Sequence, residues 1–181
     1  MTTTALTGDY TLDTARTRIG FVARHTIGPE VRGQFEKFEG SAHLDGDDPA
    51  DSSVELTIQV GSIQTRNARR DDTLRRRFLK LDDHPTITFV STGARQVGES
   101  TFELTGDLTI RGVTKPVTVA FARIGAEHDP QGDVRIRFRG SATINRKDWG
   151  VRWTAAAGLV GGKVALELDV AAIRRPGEDA L

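Results

Sequence analysis

The sequence contains no cysteine, which excludes a disulfide scaffold, cysteine-ligated zinc, an iron–sulfur cluster and a thiol nucleophile. It also has no net charge, because 25 basic residues balance 25 acidic ones. This balance argues against a nucleic-acid partner or an anionic membrane surface. No run approaches the roughly 18 consecutive apolar residues of a transmembrane helix. The first residues lack a basic region followed by an apolar run, so no signal peptide is predicted and a cytoplasmic location is expected.

The length of 181 residues and a hydrophobic content of 37% indicate one domain with a real core. We expect this domain to span residues 9–174. Residues 1–8 are predicted to form a disordered N-terminal tail, and residues 175–181 a C-terminal tail.

Alternation of apolar and polar residues with a period of two recurs along most of the chain. It is clearest in the segments 54–60, 101–110, 113–123, 134–145 and 164–171. Such alternation is typical of antiparallel strands with one buried and one solvated face, and about eight are predicted. Eight such strands form either a sandwich or a closed barrel. A barrel of this size has an interior that side chains fill or that holds one slim ligand.

Two details of the strand pattern make local predictions. The pair Arg111-Gly112 separates two clean alternating runs and is predicted to form a tight hairpin turn. Pro116 lies inside the second run, so its nitrogen is expected at an unpaired edge or a bulge.

One segment breaks the period of two. Leu74, Phe78 and Leu81 follow the helical spacing i, i+4, i+7, which predicts a single short amphipathic helix over about 66–79 that caps or flanks the strands. Leu74 and Phe78 are expected to pack on the barrel. The arginines at 75–77 are interpreted as a solvated face, with phosphate binding as the alternative.

Small residues occupy several inward positions of the predicted strands. They either leave space along the barrel axis or make room for large neighbours, and the pattern alone does not choose between these two readings. The set is Ala23, Gly40, Ala42, Gly106, Gly140 and Ala142.

Several segments in a fixed order together resemble the YceI family of polyisoprenoid-binding, lipocalin-like proteins. The resemblance covers about Tyr10 to Ile173 and rests on YTLD (10–13), RIGFVARH (18–25), VRGQFEKFEG (31–40), the segment 62–91, LTGDLTIRGVTKPVTV (104–119) and NRKDWG (145–150). It implies an all-β, eight-stranded antiparallel, lipocalin-like barrel with a helix at one end. The pore of such a barrel takes a long isoprenoid chain, such as a polyprenyl or quinone-type lipid.

The chain departs from the family at one place. Members commonly carry a His-Ser pair shortly after the first aspartate, whereas the matching positions here are Arg16 and Thr17. Any role of that pair is therefore not carried over to this chain.

The predicted ligand-binding residues are the apolar side chains that share the inward face of separate strands. They are Ile19, Phe21, Leu56, Ile58, Ile87, Phe89, Phe102, Leu104, Leu108, Val119, Phe121, Ile136, Phe138, Leu166 and Leu168. His25 continues the inward parity to a strand end, where it either meets a polar head group at the mouth or caps a turn. Trp149 and Trp153 flank a turn and are expected to plug one barrel end or to help line the pore.

No pattern of catalytic residues accompanies this lining. The histidines have no metal-ligand spacing, and neither a nucleophile elbow nor paired carboxylates are present, so no catalytic residue, metal or cofactor is predicted. The expected function is to bind a long isoprenoid lipid as a carrier, storage or sequestration protein. The alternatives are a barrel enzyme acting on a small apolar substrate and a ligand-free structural or stress-related barrel. Small barrels often pair, so a homodimer is also considered, although the sequence indicates no interface.

Overall fold

The computed structural model describes residues 6–25, 30–128, 130, 132–151 and 160–174. Strands dominate this part of the chain. The elements are β1 (Gly8–Leu12), β2 (Arg18–His25), β3 (Val31–Phe35), β4 (Phe38–Leu44), β5 (Ser53–Gln59), β6 (Ile63–Gln64), α1 (Ala68–Thr73), β7 (Thr86–Gln96), β8 (Thr101–Ile110), β9 (Val113–His128), β10 (Val134–Asn145) and β11 (Val160–Arg174).

Eight of these strands form a closed ring in the order β1, β4, β5, β7, β8, β9, β10 and β11. The ring closes where Thr11 and Leu12 of β1 pair with Ile173 and Ala172 of β11. Every adjacent pair in the ring is antiparallel. The structure therefore confirms the predicted all-β, eight-stranded antiparallel barrel.

Three strands of the ring each have a second strand next to them in the sequence, which lies outside the ring of eight. β2 follows β1, β3 precedes β4 and β6 follows β5, and these three continuations pair with one another at one end of the barrel. Thr17 secures the first interruption, because its hydroxyl bonds both the carbonyl oxygen and the N–H of Ala171 on β11, at 3.2 and 3.0 Å. Arg16 forms a surface ion pair with Asp13 at 2.8 Å. Thr17 thus fastens this connection to β11, whereas the Arg16 ion pair stays within the connection between β1 and β2.

The hairpin between β8 and β9 has the predicted tight turn. Ile110 pairs directly with Val113, and the two residues between them have positive φ angles, 55° at Arg111 and 74° at Gly112. Two left-handed residues define the turn type that matches the twist of a hairpin. Pro116 pairs only with β8, because the ladder between β9 and β10 starts at Ala120 opposite Ser141. It lies at the unpaired edge, as expected.

The short amphipathic helix is present, with altered ends. It begins at Ala68, where the side chain of Asn67 accepts the N–H of Arg70 at 3.0 Å. Its last turn, Leu74–Phe78, is π-helical, and the N–H of Leu79 donates to the carbonyl of Leu74 at 2.8 Å.

The π turn changes which side chains are buried. Leu74 and Phe78 are buried in the main core, as predicted. Leu79 is buried as well, whereas Leu81, the third residue of the predicted stripe, is half-buried. The wider turn brings Leu79, five residues after Leu74, to the barrel side of the helix.

The barrel has two distinct ends. The helix end carries α1, the β8–β9 hairpin and the turn Arg146–Trp149. The opposite end, which we call the hairpin end, carries the β7–β8 hairpin at residues 97–100 and the loop at residues 45–52. Close to the hairpin end, Leu6 is buried and its carbonyl accepts the hydroxyl of Tyr10 at 2.7 Å. No helix among the described residues is long and apolar enough to cross a bilayer.

Candidate functional site

A cavity of about 370 Å³ lies inside the barrel. Its lining reaches from Leu44 and Pro49 at the hairpin end to Leu74 and Leu79 at the helix end. Its size falls in the range of small-molecule pockets, roughly 300–1,000 Å³. The lining is predominantly apolar, because each strand turns alternate side chains inward and these alternate positions are the hydrophobic ones.

All fifteen residues of the predicted pore lining border this cavity. They come from seven different strands of the structure. The period of two therefore placed each of them on the inner face. Their contact with a ligand stays a prediction.

Three phenylalanine rings lie directly over glycines of neighbouring strands. A Cβ on Gly106 would come within 2.5 Å of the Phe89 ring, and one on Gly140 within 2.4 Å of Phe121. Gly33 is covered in the same way by the ring of Phe21 on β2, with a closest approach of 2.4 Å. At Gly106 and Gly140, small residues make room for large neighbours. Because each ring occupies the space above a glycine, it stays against the wall and the axis remains hollow.

A second group of rings lies toward the hairpin end. Phe138 on β10 meets Phe102 and Phe121 edge-on, at ring-centroid distances of 6.4 and 6.2 Å. Edge-to-face packing is the preferred geometry for such rings, and it fixes the three relative to one another. All three line the cavity, so this part of the lining is aromatic and rigid.

Trp149 is buried at the helix end. Its side chain is 3% exposed, and its indole N–H donates to the carbonyl of Leu108 on β8 at 2.9 Å. The adjoining Gly150 carbonyl accepts the guanidinium of Arg111. Trp149 packs in the main core beside the cavity and is not among the lining residues.

The remaining expectations for the two ends fall outside the described part of the structure. Trp153 lies among the residues that the structure does not describe, and so does the side chain of His25. The backbone of His25 pairs with Val160 at the helix end. Roles for both residues stay predictions.

Two arginines that the sequence reasoning missed also border the cavity. Arg146, at the helix end, is buried, donates to the carbonyl of Val151 at 2.7 Å and has its pKa lowered by desolvation. Arg123 lies opposite Phe138, toward the hairpin end. The alternation of inward residues along β9 predicts this position, because Arg123 is the next inward residue after Phe121.

No group of three or more histidine, cysteine, aspartate or glutamate side chains gathers in a metal-binding arrangement within the described ranges. His43 lies on the outer surface, 2.7 Å from Asp9. The polar groups that do border the cavity are spread along it.

The sequence that forms this closed barrel and its apolar cavity matches the model of a known protein family. The model of the YceI-like domain matches residues 10–172. The chain belongs to the YceI-like family. Its relatives include a UPF0312 protein of Ectopseudomonas mendocina, 36% identical over 94% of this chain and 90% of the relative. A UPF0312 protein of Pseudomonas aeruginosa is 38% identical over the same shares of the two chains.

Solved structures of other proteins share the fold. BcnA of Burkholderia cenocepacia has a TM-score of 0.77 at 23% identity, over 88% of this chain and 98% of that one. A polyisoprenoid-binding domain from Saccharophagus degradans, described as implicated in plant cell wall breakdown, has a TM-score of 0.67 at 15% identity. It is matched over 90% of this chain and 97% of its own. These similarities establish the fold.

Proposed function

We propose that this YceI-like protein encloses a long apolar isoprenoid-type lipid, polyprenyl or quinone-like, within its barrel. The observation that carries the proposal is the apolar lining, which continues through the barrel from one end to the other. The polyisoprenoid-binding domain of Saccharophagus degradans supports the same ligand class for a barrel of this shape.

The energetics favour long chains. Each buried methylene contributes about 0.8 kcal/mol, so one five-carbon isoprene unit contributes on the order of 3–4 kcal/mol. Association and ordering cost about 4–15 kcal/mol. Four or five enclosed units contribute on the order of 12–20 kcal/mol, which offsets most or all of this cost without a single hydrogen bond. Such a site selects its ligand by the length and width of the chain.

The arrangement favours a carrier, storage or sequestration role over catalysis. An enzyme needs several polar groups that converge on one reacting atom. Here the two arginines that border the cavity lie toward opposite ends, Arg146 at the helix end and Arg123 toward the hairpin end. The aromatic and aliphatic wall between them is suited to holding a chain.

The direct test is organic extraction of the purified protein followed by mass spectrometry. We expect a stoichiometric long-chain prenyl lipid from the wild type. The variants Phe102→Arg and Leu104→Asp introduce a charge on the inner face, where burying an unpaired charge is strongly unfavourable, and should retain none.

The matched control is Thr101→Arg, which adds the same charge at an exposed position of the same strand. It should keep the lipid. Retention of lipid by several folded variants with charges on the inner face would refute the assignment of the pore.

A further inference from the structure

We infer that Arg123 binds the head group of the enclosed ligand, and that this head group is an anion, a phosphate or a carboxylate on a long apolar chain. The inference rests on the proposed function, since it assigns the polar end of a ligand whose chain fills the cavity.

The first step is the position of Arg123. It is half-buried and belongs to the cavity lining. Its backbone N–H donates to the carbonyl of Ser100 at 2.8 Å, which ties this point of β9 to the β7–β8 hairpin. Across the ladder it faces Phe138, whose ring packs against Phe102 and Phe121. Arg123 therefore marks the border between the aromatic wall and solvent.

The second step is the lack of a counter-ion. Within the part of the chain that the structure describes, the Arg123 side chain has no hydrogen bond or ion pair. The nearby polar side chains are engaged elsewhere: Glu103 pairs with Arg95 at 2.7 Å, and the Gln96 amide donates to the Gly98 carbonyl at 2.9 Å.

Two other carboxylates border the cavity on parts of the chain that do not neighbour β9 in the sheet. Asp45 follows β4 and Glu55 lies on β5, and both strands are separated from β9 by β7 and β8. The Asp45 carboxylate accepts the backbone N–H groups of Asp47 and Asp48, at 3.0 and 2.9 Å. The cationic site at Arg123 is thus left open to a ligand.

The third step is chemical. A guanidinium presents paired N–H donors that match the oxygens of a carboxylate or phosphate, and its interaction strengthens in a partly dry setting. An anion at the mouth keeps contact with water while the chain extends inward past Phe102 and Leu104. A neutral head group would not form this charge-assisted hydrogen bond. The geometry therefore selects amphiphiles that are negatively charged.

The test compares ligands that share a chain and differ in the head group. Delipidated protein is titrated with geranylgeranyl phosphate and geranylgeraniol, and separately with stearic acid and stearyl alcohol. We expect Arg123→Gln to weaken binding of the anions about 10- to 100-fold, the value of a lost charge-assisted hydrogen bond. Binding of the two alcohols should change by less than about twofold. The acid and phosphate arms show which anion depends more on the guanidinium.

Two further variants sharpen the result. Arg123→Lys keeps the positive charge and should restore part of the preference for the anion. Arg137→Gln removes an exposed arginine on the outer face of β10 and should change neither ligand. Thermal unfolding of each variant checks that it is folded.

An unchanged ratio of anion to alcohol affinity in folded Arg123→Gln would overturn this inference. The proposed function would survive that result if the alcohols still bind and Leu104→Asp abolishes their binding. Failure of the wild type to bind any of the four ligands would overturn both.

Discussion

The two ends of the barrel differ in the burial and hydrogen bonding of particular polar side chains. At the helix end, two polar side chains are buried and hydrogen-bonded: the Trp149 indole N–H donates to the carbonyl of Leu108, and the Asp71 carboxylate accepts both the N–H and the hydroxyl of Thr65. The Nε atoms of Arg75 and Arg111 are buried at the same end without a partner among the described residues. At the hairpin end, Arg123 lacks a described partner, and the apolar side chains of Val97 and Ile124 are 49% and 44% exposed.

This difference separates stability from binding. Buried polar groups that are hydrogen-bonded favour a single packing arrangement. Loss of one partner leaves the other buried without a hydrogen bond, which lowers the stability of the fold. A half-buried cation beside an aromatic wall adds little to folding and is free to meet a ligand. The helix end is therefore expected to hold the barrel together, and the hairpin end to recognise what the barrel contains.

The largest effect is expected from Trp149→Ala at the helix end. Removing a buried aromatic side chain of this size costs about 3–5 kcal/mol, and here the carbonyl of Leu108 also loses its donor. Urea unfolding measures the loss. Val97→Ala at the hairpin end is the matched control, and it should change stability by less than about 0.5 kcal/mol. Similar losses in the free energy of unfolding from the two substitutions would contradict the proposal that the helix end contributes more to stability.

A smaller effect is expected from Gly106→Ala, which alters the wall between the two ends. The added methyl group would lie 2.5 Å from the Phe89 ring and 2.7 Å from the carbonyl oxygen of Val90, so the ring must be displaced and the backbone of β7 must shift. Overpacking of this kind costs about 1–3 kcal/mol. Because the displaced ring narrows the cavity, binding of a long prenyl chain should weaken as well, as a titration would show.

Gly93→Ala is the control for Gly106→Ala. A Cβ at Gly93 on β7 would meet no heavy atom within 4 Å. This variant should bind the chain as the wild type does. Equal binding by both variants would show that the placement of rings over glycines does not keep the cavity open.

The smallest effect is expected from Tyr10→Phe, near the hairpin end. Burial raises the pKa of the Tyr10 hydroxyl, an effect that the charge of Arg174 opposes. The folded pKa then lies above the unfolded value of about 10, so this contribution to stability is complete below about pH 10 and is lost as the pH rises through the folded pKa.

Tyr10→Phe should cost about 1 kcal/mol at neutral pH, for the lost hydrogen bond to Leu6, and should flatten the decline of stability above pH 10. Urea unfolding across the alkaline range measures both. Because Tyr10 is the single tyrosine, phenolate absorbance reports its titration without overlap. An unaltered alkaline decline in the variant would assign that decline to other groups.

The sequence predicted those parts of the molecule that depend on local alternation. Phe102, Leu104 and Leu108 are inward because the period of two decides the face, and the turn at Arg111-Gly112 follows from residue type alone. The parity of β9 also extends to Arg123, but an alternation of apolar residues does not identify a charged residue as inward.

Other features depend on contacts between distant strands and were not accessible from the sequence. The interruption between consecutive strands such as β5 and β6 reflects a change of partner, because β5 pairs with β4 and β7 whereas β6 pairs with β3. Which ring covers Gly106 or Gly140 depends on register. The burial of Leu79 required the π turn, which breaks the regular spacing of the predicted helix.

The stretch Val113–Val119 of β9 has a further consequence for behaviour in concentrated solution. The edge of this stretch that faces β10 has no ladder of hydrogen bonds to it. An unpaired strand edge is a template on which another chain can add a strand and begin to aggregate. Pro116 has no N–H to offer, and the neighbouring Lys115 is exposed. Proline and lysine on an unpaired edge discourage pairing with another chain, so this stretch of β9 is protected against edge-to-edge aggregation.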